Sequence, residues 1–413
     1  MSLDPQYIIP YLKQIPLFAS LNDDECLDIV RTFGMENKRQ GELLCMEGAV
    51  SEGMFILQSG KVEVEKKTVQ GTPEILCTLG TQDVVGEMAL LDGRTCSATV
   101  RAVEDVSYYK IDKNQFMVLR ANLKPAPFKV IRFLAQTLVE RLRQMNGKIE
   151  NFYANPKESL REMKKRKDAI MEEWRRRQEE GTAQPRMTRA PQRPSNLPAP
   201  VIKKVKPLAA ADVGDDDKLI SFLTQVPLLE ELTEIELEVL AGVMSPKMFR
   251  PDNVICKEKA EADSFFVIAD GQVAIVKDIA GGEEQVLAEL GPGALIGEMS
   301  LIDGKPRSAT IRAIGGCTLL EVKKEEFESL YRANSPFALR FTERIAIDLS
   351  MRLRSADERF LEIFSRTGET MDELKRRFIA IQATIQGGDE LDTASLLSMV
   401  GYKKVPTGGP VGG

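Results

Sequence analysis

Apolar and polar positions along this chain change period in a fixed order, and they do so twice. LNDDECLDIVRTF, from Leu21, spaces its apolar residues helically behind Asn22, a good N-cap, with acidic residues in the first turn where the helix dipole favours them. LTEIELEVLAGVM, from Leu232, repeats the arrangement with Thr233 at the cap. Stretches rich in Val, Ile and Phe follow: MFILQSGKVEVEKKT from Met54 and SFFVIADGQVAIVKD from Ser264, alternating in places and broken by Gly60 or Gly271. That is the pattern of paired strands. Several such strands at close spacing predict a small barrel or jelly roll. The period then returns to helical in FKVIRFLAQTLVERLRQMNGKIENF, from Phe128, and FALRFTERIAIDLSMRLRSADERFLEIF, from Phe337.

The two passages are copies. Gln14 and Gln225, Gly60 and Gly271, and Gly86 and Gly297 are each 211 positions apart, so one module recurs in unbroken register. The fold class expected is α+β: two jelly-roll β-barrels with flanking helices, joined by a charged helix and a Pro-rich linker. The divisions expected are a first module at 10–155, the linker at 156–216, a second module at 217–366, and a short helix with a disordered tail at 367–413. Such an architecture suits a chain of 413 residues, too long for a single ordinary core.

Phe128, Ile131, Ala135, Leu138, Leu142, Met145, Ile149 and Phe152 recur at steps of three and four. This stripe serves equally as the seam of a homodimer through the helix 128–152 or as a face packed on its own barrel. Phe341, Ile345, Leu349, Leu353 and Phe360 form a broader stripe that suits barrel packing better.

Composition narrows the chemistry. The chain contains no histidine, which excludes Ser-His-Asp triads, Cys-His pairs and His-ligated metals. Its six cysteines include no CxxC pair, so no zinc ribbon or thioredoxin-like motif is written, and no metal is expected. A net charge of -6 argues against a whole-molecule nucleic-acid binder. After the second barrel no helix-turn-helix fits, so no DNA-binding domain is expected. The start MSLDPQYIIPYLKQ does not read as a signal peptide, and no segment reads as membrane-spanning; a cytoplasmic protein without membrane attachment is the expectation. No Walker loop or dinucleotide fingerprint appears, and an enzyme is not expected.

Chemistry concentrates in GEMALLDGRTCSAT at 86–99 and GEMSLIDGKPRSAT at 297–310. With the surrounding glycines and the helix–barrel–helix order, these stretches resemble the cyclic nucleotide-binding domain of catabolite activator protein, of the regulatory subunits of cAMP-dependent protein kinase and of nucleotide-gated channels. A cyclic phosphodiester entering a barrel needs a fixed cation and several aimed N–H donors. Gly297 permits close backbone approach, and GEMSLI reads as a helical turn with free N–H groups. Glu298 is a ribose-hydroxyl acceptor, and Arg307, behind a stiffening proline, is a planar fork for phosphate oxygens. The resemblance makes Gly297, Glu298, Met299, Arg307, Ser308 and Ala309 the ligand contacts. The alternative for Glu298 and Arg307 is an internal ion pair.

In the first copy Cys96 replaces Arg307 and Thr95 replaces Pro306. A weaker site is expected there, at Gly86, Glu87, Met88, Arg94, Ser97 and Ala98. Arg94 could reach in to replace the lost cation or stand on the surface, and a redox role for Cys96 is a further reading that no evident basic neighbour supports. By resemblance, Ser308 favours cAMP over cGMP, and Ser355 and Asp357 are base-contact candidates. The function expected is a cyclic nucleotide receptor acting by allosteric change on an effector protein. The inhibitory segment of kinase regulatory subunits is not visible. The alternative is a structural scaffold with degenerate pockets.

Overall fold

The repeat in sequence is a repeat in space. The computed structural model describes residues 5–67, 73–155, 205–278, 284–365 and 371–388, with isolated helical residues between 158 and 176. Most of the expected charged helix and Pro-rich linker, and the whole tail beyond 388, lie outside the described residues.

The first module runs α1 (Pro5–Leu12), α2 (Asp23–Val30), β1 (Phe33–Lys38), β2 (Leu43–Cys45), β3 (Gly53–Ser59), β4 (Val62–Lys67), β5 (Pro73–Leu79), β6 (Val84–Val85), α3 (Glu87–Asp92), β7 (Thr99–Ala102), β8 (Val106–Asp112), α4 (Lys113–Ala121) and α5 (Pro125–Ala154). The second runs α6 (Asp216–Leu223), α7 (Glu234–Gly242), β9 (Met244–Phe249), β10 (Val254–Cys256), β11 (Ser264–Asp270), β12 (Val273–Asp278), β13 (Glu284–Leu290), β14 (Leu295–Ile296), α8 (Glu298–Asp303), β15 (Thr310–Ala313), β16 (Cys317–Lys323), α9 (Lys324–Arg332) and α10 (Pro336–Ser365). A last helix, α11, spans Met371–Ile385. Asn22 and Thr233 cap α2 and α7, each through a reciprocal capping box.

Each barrel is two four-stranded antiparallel sheets face to face: β1-β8-β3-β6 on β2-β7-β4-β5, and β14-β11-β16-β9 on β10-β15-β12-β13. Phe55, Leu57, Val62 and Tyr108 fill the first. Phe266, Ile268, Ile275 and Leu319 fill the second. The packed part of the second module starts upstream of residue 217, where Leu208 is buried and its N–H donates to the carbonyl of Ala269 at 3.0 Å. Among the described residues no helix is long and apolar enough to cross a membrane.

The long helices correct one expectation. All eight apolar residues of the stripe from Phe128 to Phe152 are buried, and the element packed along α5 is α10 of the same chain. Phe341, Ile345, Leu349 and Leu353 are buried on the α10 side and join the same core, so that stripe too faces the other long helix as well as its barrel. The side chain of Phe360 lies outside the described residues. A homodimer through the helix 128–152 would have to displace α10. Removing each large apolar side chain from water contributes about 1.5–3 kcal/mol, whereas an exposed ion pair supplies about 0–1 kcal/mol. Burial therefore holds the pair together. The α11 helix closes against α5, α10 and β13, with Phe378 against Phe152 at a ring-centroid separation of 4.4 Å.

Candidate functional site

In the second module the chain leaves β14 into Gly297, turns through φ 87° and ψ 5°, and enters α8. This left-handed conformation favours glycine. Space demands it as well, since a Cβ there would lie 2.3 Å from Nη1 of Arg307. The guanidinium thus rests on bare backbone at the mouth of the cassette.

Arg307 is 5% exposed. Its own N–H donates to the carbonyl of Ala260 and its carbonyl accepts from Lys259, both at 2.9 Å, so the turn carrying it is strapped to the 257–260 loop. Nη2 donates to the carbonyl of Ser264 at 2.6 Å and to its hydroxyl at 3.4 Å. Nη1 is buried and has no hydrogen-bond partner among the described residues. An unpaired buried donor on a cation is costly, so Nη1 is a donor open to a further acceptor. Two hollows border this residue. The one between Lys247, Lys257 and Glu321 lies beside Ser264, which Nη2 already bonds. The other is narrow and is lined by Gly297, Glu298, Met299, Ser300, Ser308, Ala309 and Gln386 as well as Arg307. The free Nη1 stands over Gly297, on that second side.

The six residues expected at this site therefore converge, with different parts to play. Met299 and Ala309 are 3% and 4% exposed, and Met299 belongs to the apolar core, so both offer backbone rather than side chains. The carbonyl of Ser308 accepts from Nζ of Lys277 at 3.0 Å, and that ammonium also pairs with Glu150 of α5 at 2.5 Å. Glu298 and Arg307 do not form the internal pair weighed from the sequence. Glu298 instead accepts from Nη1 of Arg352, on α10, at 2.5 Å. Burial pulls the Arg352 guanidinium toward deprotonation, but the carboxylates of Asp348 and Glu298 outweigh it and push its pKa up. Nη1 of Arg352 also lies 3.5 Å from the carbonyl of Ile385, which ties the site to the end of α11. There Ala383 joins the barrel core, and Gln386 lines the cavity with a buried Nε2 that has no partner among the described residues. Neither Ser355 nor Asp357 lines this cavity. Asp357 faces Lys66, Arg141 and Lys148 of the first module instead; burial raises its pKa against those three charges.

The first module repeats the backbone. Gly86 turns through φ 85° and ψ 10°. Cys96 donates through its N–H to Ala49 and accepts from Gly48, both at 2.9 Å, as Arg307 does with its counterparts. Met88 and Ala98 are buried, and the Ser97 hydroxyl lies 3.8 Å from the sulfur of Met88. Glu87 accepts from Nη1 of Arg141, on α5, at 2.7 Å. Arg94 does not replace the missing cation: it is exposed, with Nη2 3.4 Å from the sulfur of Met351 on α10. A thiol occupies the arginine's place. The neighbouring Cys45 lowers the pKa of the Cys96 thiol to about 7 against the opposing effect of burial, helped by Ser51 and by the charge of Arg354. Cys96, with burial, raises the pKa of Cys45, whose own S–H donates to the carbonyl of Ala98 at 3.8 Å. The basic neighbour absent from the local sequence is supplied by the other module.

Sequence reading missed Arg352, Lys277, Ser264 and Gln386. For Arg352 a signal existed: the run Arg-Leu-Arg stands at 141–143 and again at 352–354, in the same 211-residue register. For Gln386 there was none, because a glutamine after a helix is ordinary surface chemistry in a sequence. Among the described residues no group of three or more His, Cys, Asp or Glu side chains could hold a metal.

Comparison with known proteins agrees with this geometry. The family described as "Cyclic nucleotide-binding domain" matches at residues 35–122 and 246–334. A cAMP-dependent protein kinase regulatory subunit of Dictyostelium discoideum is 30% identical over 112 residues, which are 26% of this chain and 34% of that protein. A cyclic AMP receptor protein of Thermus thermophilus is 31% identical over 131 residues, 32% of this chain and 59% of that protein. The match thus spans less than two thirds of either relative. Among solved structures, the regulatory domain of Toxoplasma gondii PKA with cAMP is 18% identical, over 80% of this chain and 93% of that one, with a TM-score of 0.28.

Proposed function

We propose that this chain, which carries two cyclic nucleotide-binding domains in tandem, is a receptor that takes up one cyclic nucleotide in its second module and passes the change to an effector protein. One observation carries the reading: a buried guanidinium whose Nη1 has no partner among the described residues, held over a bare glycine at the edge of a cavity. An exocyclic phosphate oxygen is the acceptor Nη1 lacks, and Glu298 is the ribose acceptor. By the family resemblance, Ser308 favours cAMP over cGMP. The first module, with Cys96 in place of the arginine, takes ligand weakly or not at all.

A ligand that binds only the folded protein raises its melting temperature by mass action. Isothermal titration and thermal melts of the full chain with cAMP and with cGMP are the test. The expected result is one site per chain, tighter for cAMP, with most of the thermal shift lost in Arg307→Ala. Absence of heat and of any shift at millimolar concentrations of both nucleotides sinks the receptor reading and leaves the scaffold.

A further inference from the structure

One face of α5, made by Gln136, Glu140 and Arg143, does not serve its own module. Arg143 grips Asp303, the last residue of the other module's cassette helix, through two bonds: Nε to Oδ2 at 2.7 Å and Nη2 to Oδ1 at 3.2 Å. Gln136 donates to the carbonyl of Ile302 at 3.2 Å, and Glu140 pairs with Lys305. Asp303 is the hinge of this contact, because its Oδ1 also accepts from the N–H of Lys305 at 3.0 Å and so shapes the turn that leads through Pro306 to Arg307. Its side chain is 5% exposed and that of Arg143 18%, so the bidentate pair is shielded from water, where such pairs hold geometry best.

We infer that Arg143 is a positioning residue for the second pocket, supplied by the first module, so that the two modules form one binding unit. The chain of contacts is physical and short: Arg143 to Asp303, Asp303 to the 304–306 turn, and that turn to the guanidinium proposed to meet the phosphate. The converse contact exists with the same geometry. Arg354 of α10 grips Asp92, the matching residue of the first cassette, at 2.7 Å and 3.2 Å, and the Ser350 hydroxyl donates to the same carboxylate at 2.9 Å. Each Arg-Leu-Arg run therefore spends its first arginine on its own module's glutamate and its second on the other module's aspartate. By linkage, a ligand that tightens the second cassette must also tighten the hold on α5, and so reach the first module.

The positioning role of Arg143 rests on the receptor reading only for its effect on affinity; its effect on cassette order stands apart. Full-length wild type, Arg143→Ala and the conservative variant Arg143→Lys are compared by cAMP titration and by amide hydrogen exchange without nucleotide. For Arg143→Ala we expect affinity to fall about tenfold, with faster exchange confined to residues 298–308 while β11 and β16 keep their protection. Arg143→Lys, which keeps the charge and leaves Asp303 intact, should recover part of both. Unchanged exchange at 298–308 overturns the inference, as does acceleration spread evenly over the barrel, which marks a general loss of stability. If the wild type takes no cAMP, the receptor reading falls, and the exchange pattern still decides whether Arg143 orders the cassette.

Discussion

The two cassettes make a controlled comparison within one molecule. Gly86 and Gly297 adopt the same left-handed turn, and Cys96 and Arg307 receive the same two backbone straps. Glu87 and Glu298 are held by arginines at the same place on the following helix. The loop's shape therefore does not depend on the guanidinium; strap bonds and buried Met88 or Met299 maintain it. What changes is chemistry. Arg307 brings a cation with a spare donor, whereas Cys96 brings a thiol set near Cys45. The frame of such a site and the cation it carries are separable, and this chain keeps the first twice and the second once.

The largest effect should come from removing the difference at its source. Arg307→Ala loses the charge-assisted bond that Nη1 would give the phosphate, about 1.5–3 kcal/mol, which predicts a fall in cAMP affinity of about ten- to a hundredfold by titration. The cassette backbone should survive, since Cys96 shows that it needs no arginine. Cys96→Arg runs the comparison in reverse. We expect binding stoichiometry to move from one toward two per chain, and the nucleotide-free protein to lose about 1–3 kcal/mol in chemical denaturation, because a buried donor then lacks its acceptor.

Smaller effects sharpen the contrast. Glu298→Gln should weaken cAMP about tenfold, as a hydrogen bond to a charged group contributes about 1.5–3 kcal/mol. Glu87→Gln should leave titrations unchanged and cost under about 1 kcal/mol of stability, since the side chain of its partner Arg141 is 45% exposed. The smallest effect is a matter of pH. The folded-state pKa of Cys96 lies at about 7, below the ordinary thiol value, so the thiolate's stabilising contribution is complete only above that ordinary value and disappears as pH falls through about 7. Ultraviolet titration of wild type minus Cys96→Ser should show thiolate absorbance with a midpoint near 7, and the stability gap between them should widen from there toward pH 9. A midpoint in the usual thiol range would show that Cys45 and Arg354 do not act on this sulfur.

Much of the frame was legible from local pattern. Asn22 and Thr233 announced helix starts because a cap bonds within three residues. The period-two runs announced strands, and two copies of one fourteen-residue stretch announced paired cassettes. These signals are short-range, and each is decided by its own neighbours. The stripe from Phe128 to Phe152 is different: its apolar spacing demanded a partner without specifying which. Arg94, adjacent to the cassette, was the sequence's best replacement for the missing cation, yet its side chain runs to Met351, because position in the chain does not dictate where a long side chain lies.

What the amino-acid order settled alone is the repeated module, its register and the position where one copy carries a cation and the other a thiol. Which residues meet across it was left to tertiary structure: Arg352 on Glu298, Arg143 on Asp303, Gln386 at the cavity, α10 along α5. The reason is physical. Caps, turns and strand alternation act within a few bonds of the residue that encodes them. An apolar face or a charged side chain, by contrast, accepts any complementary surface that folding brings near, and for Arg143 and for the stripe of α5 that surface belongs to the other copy.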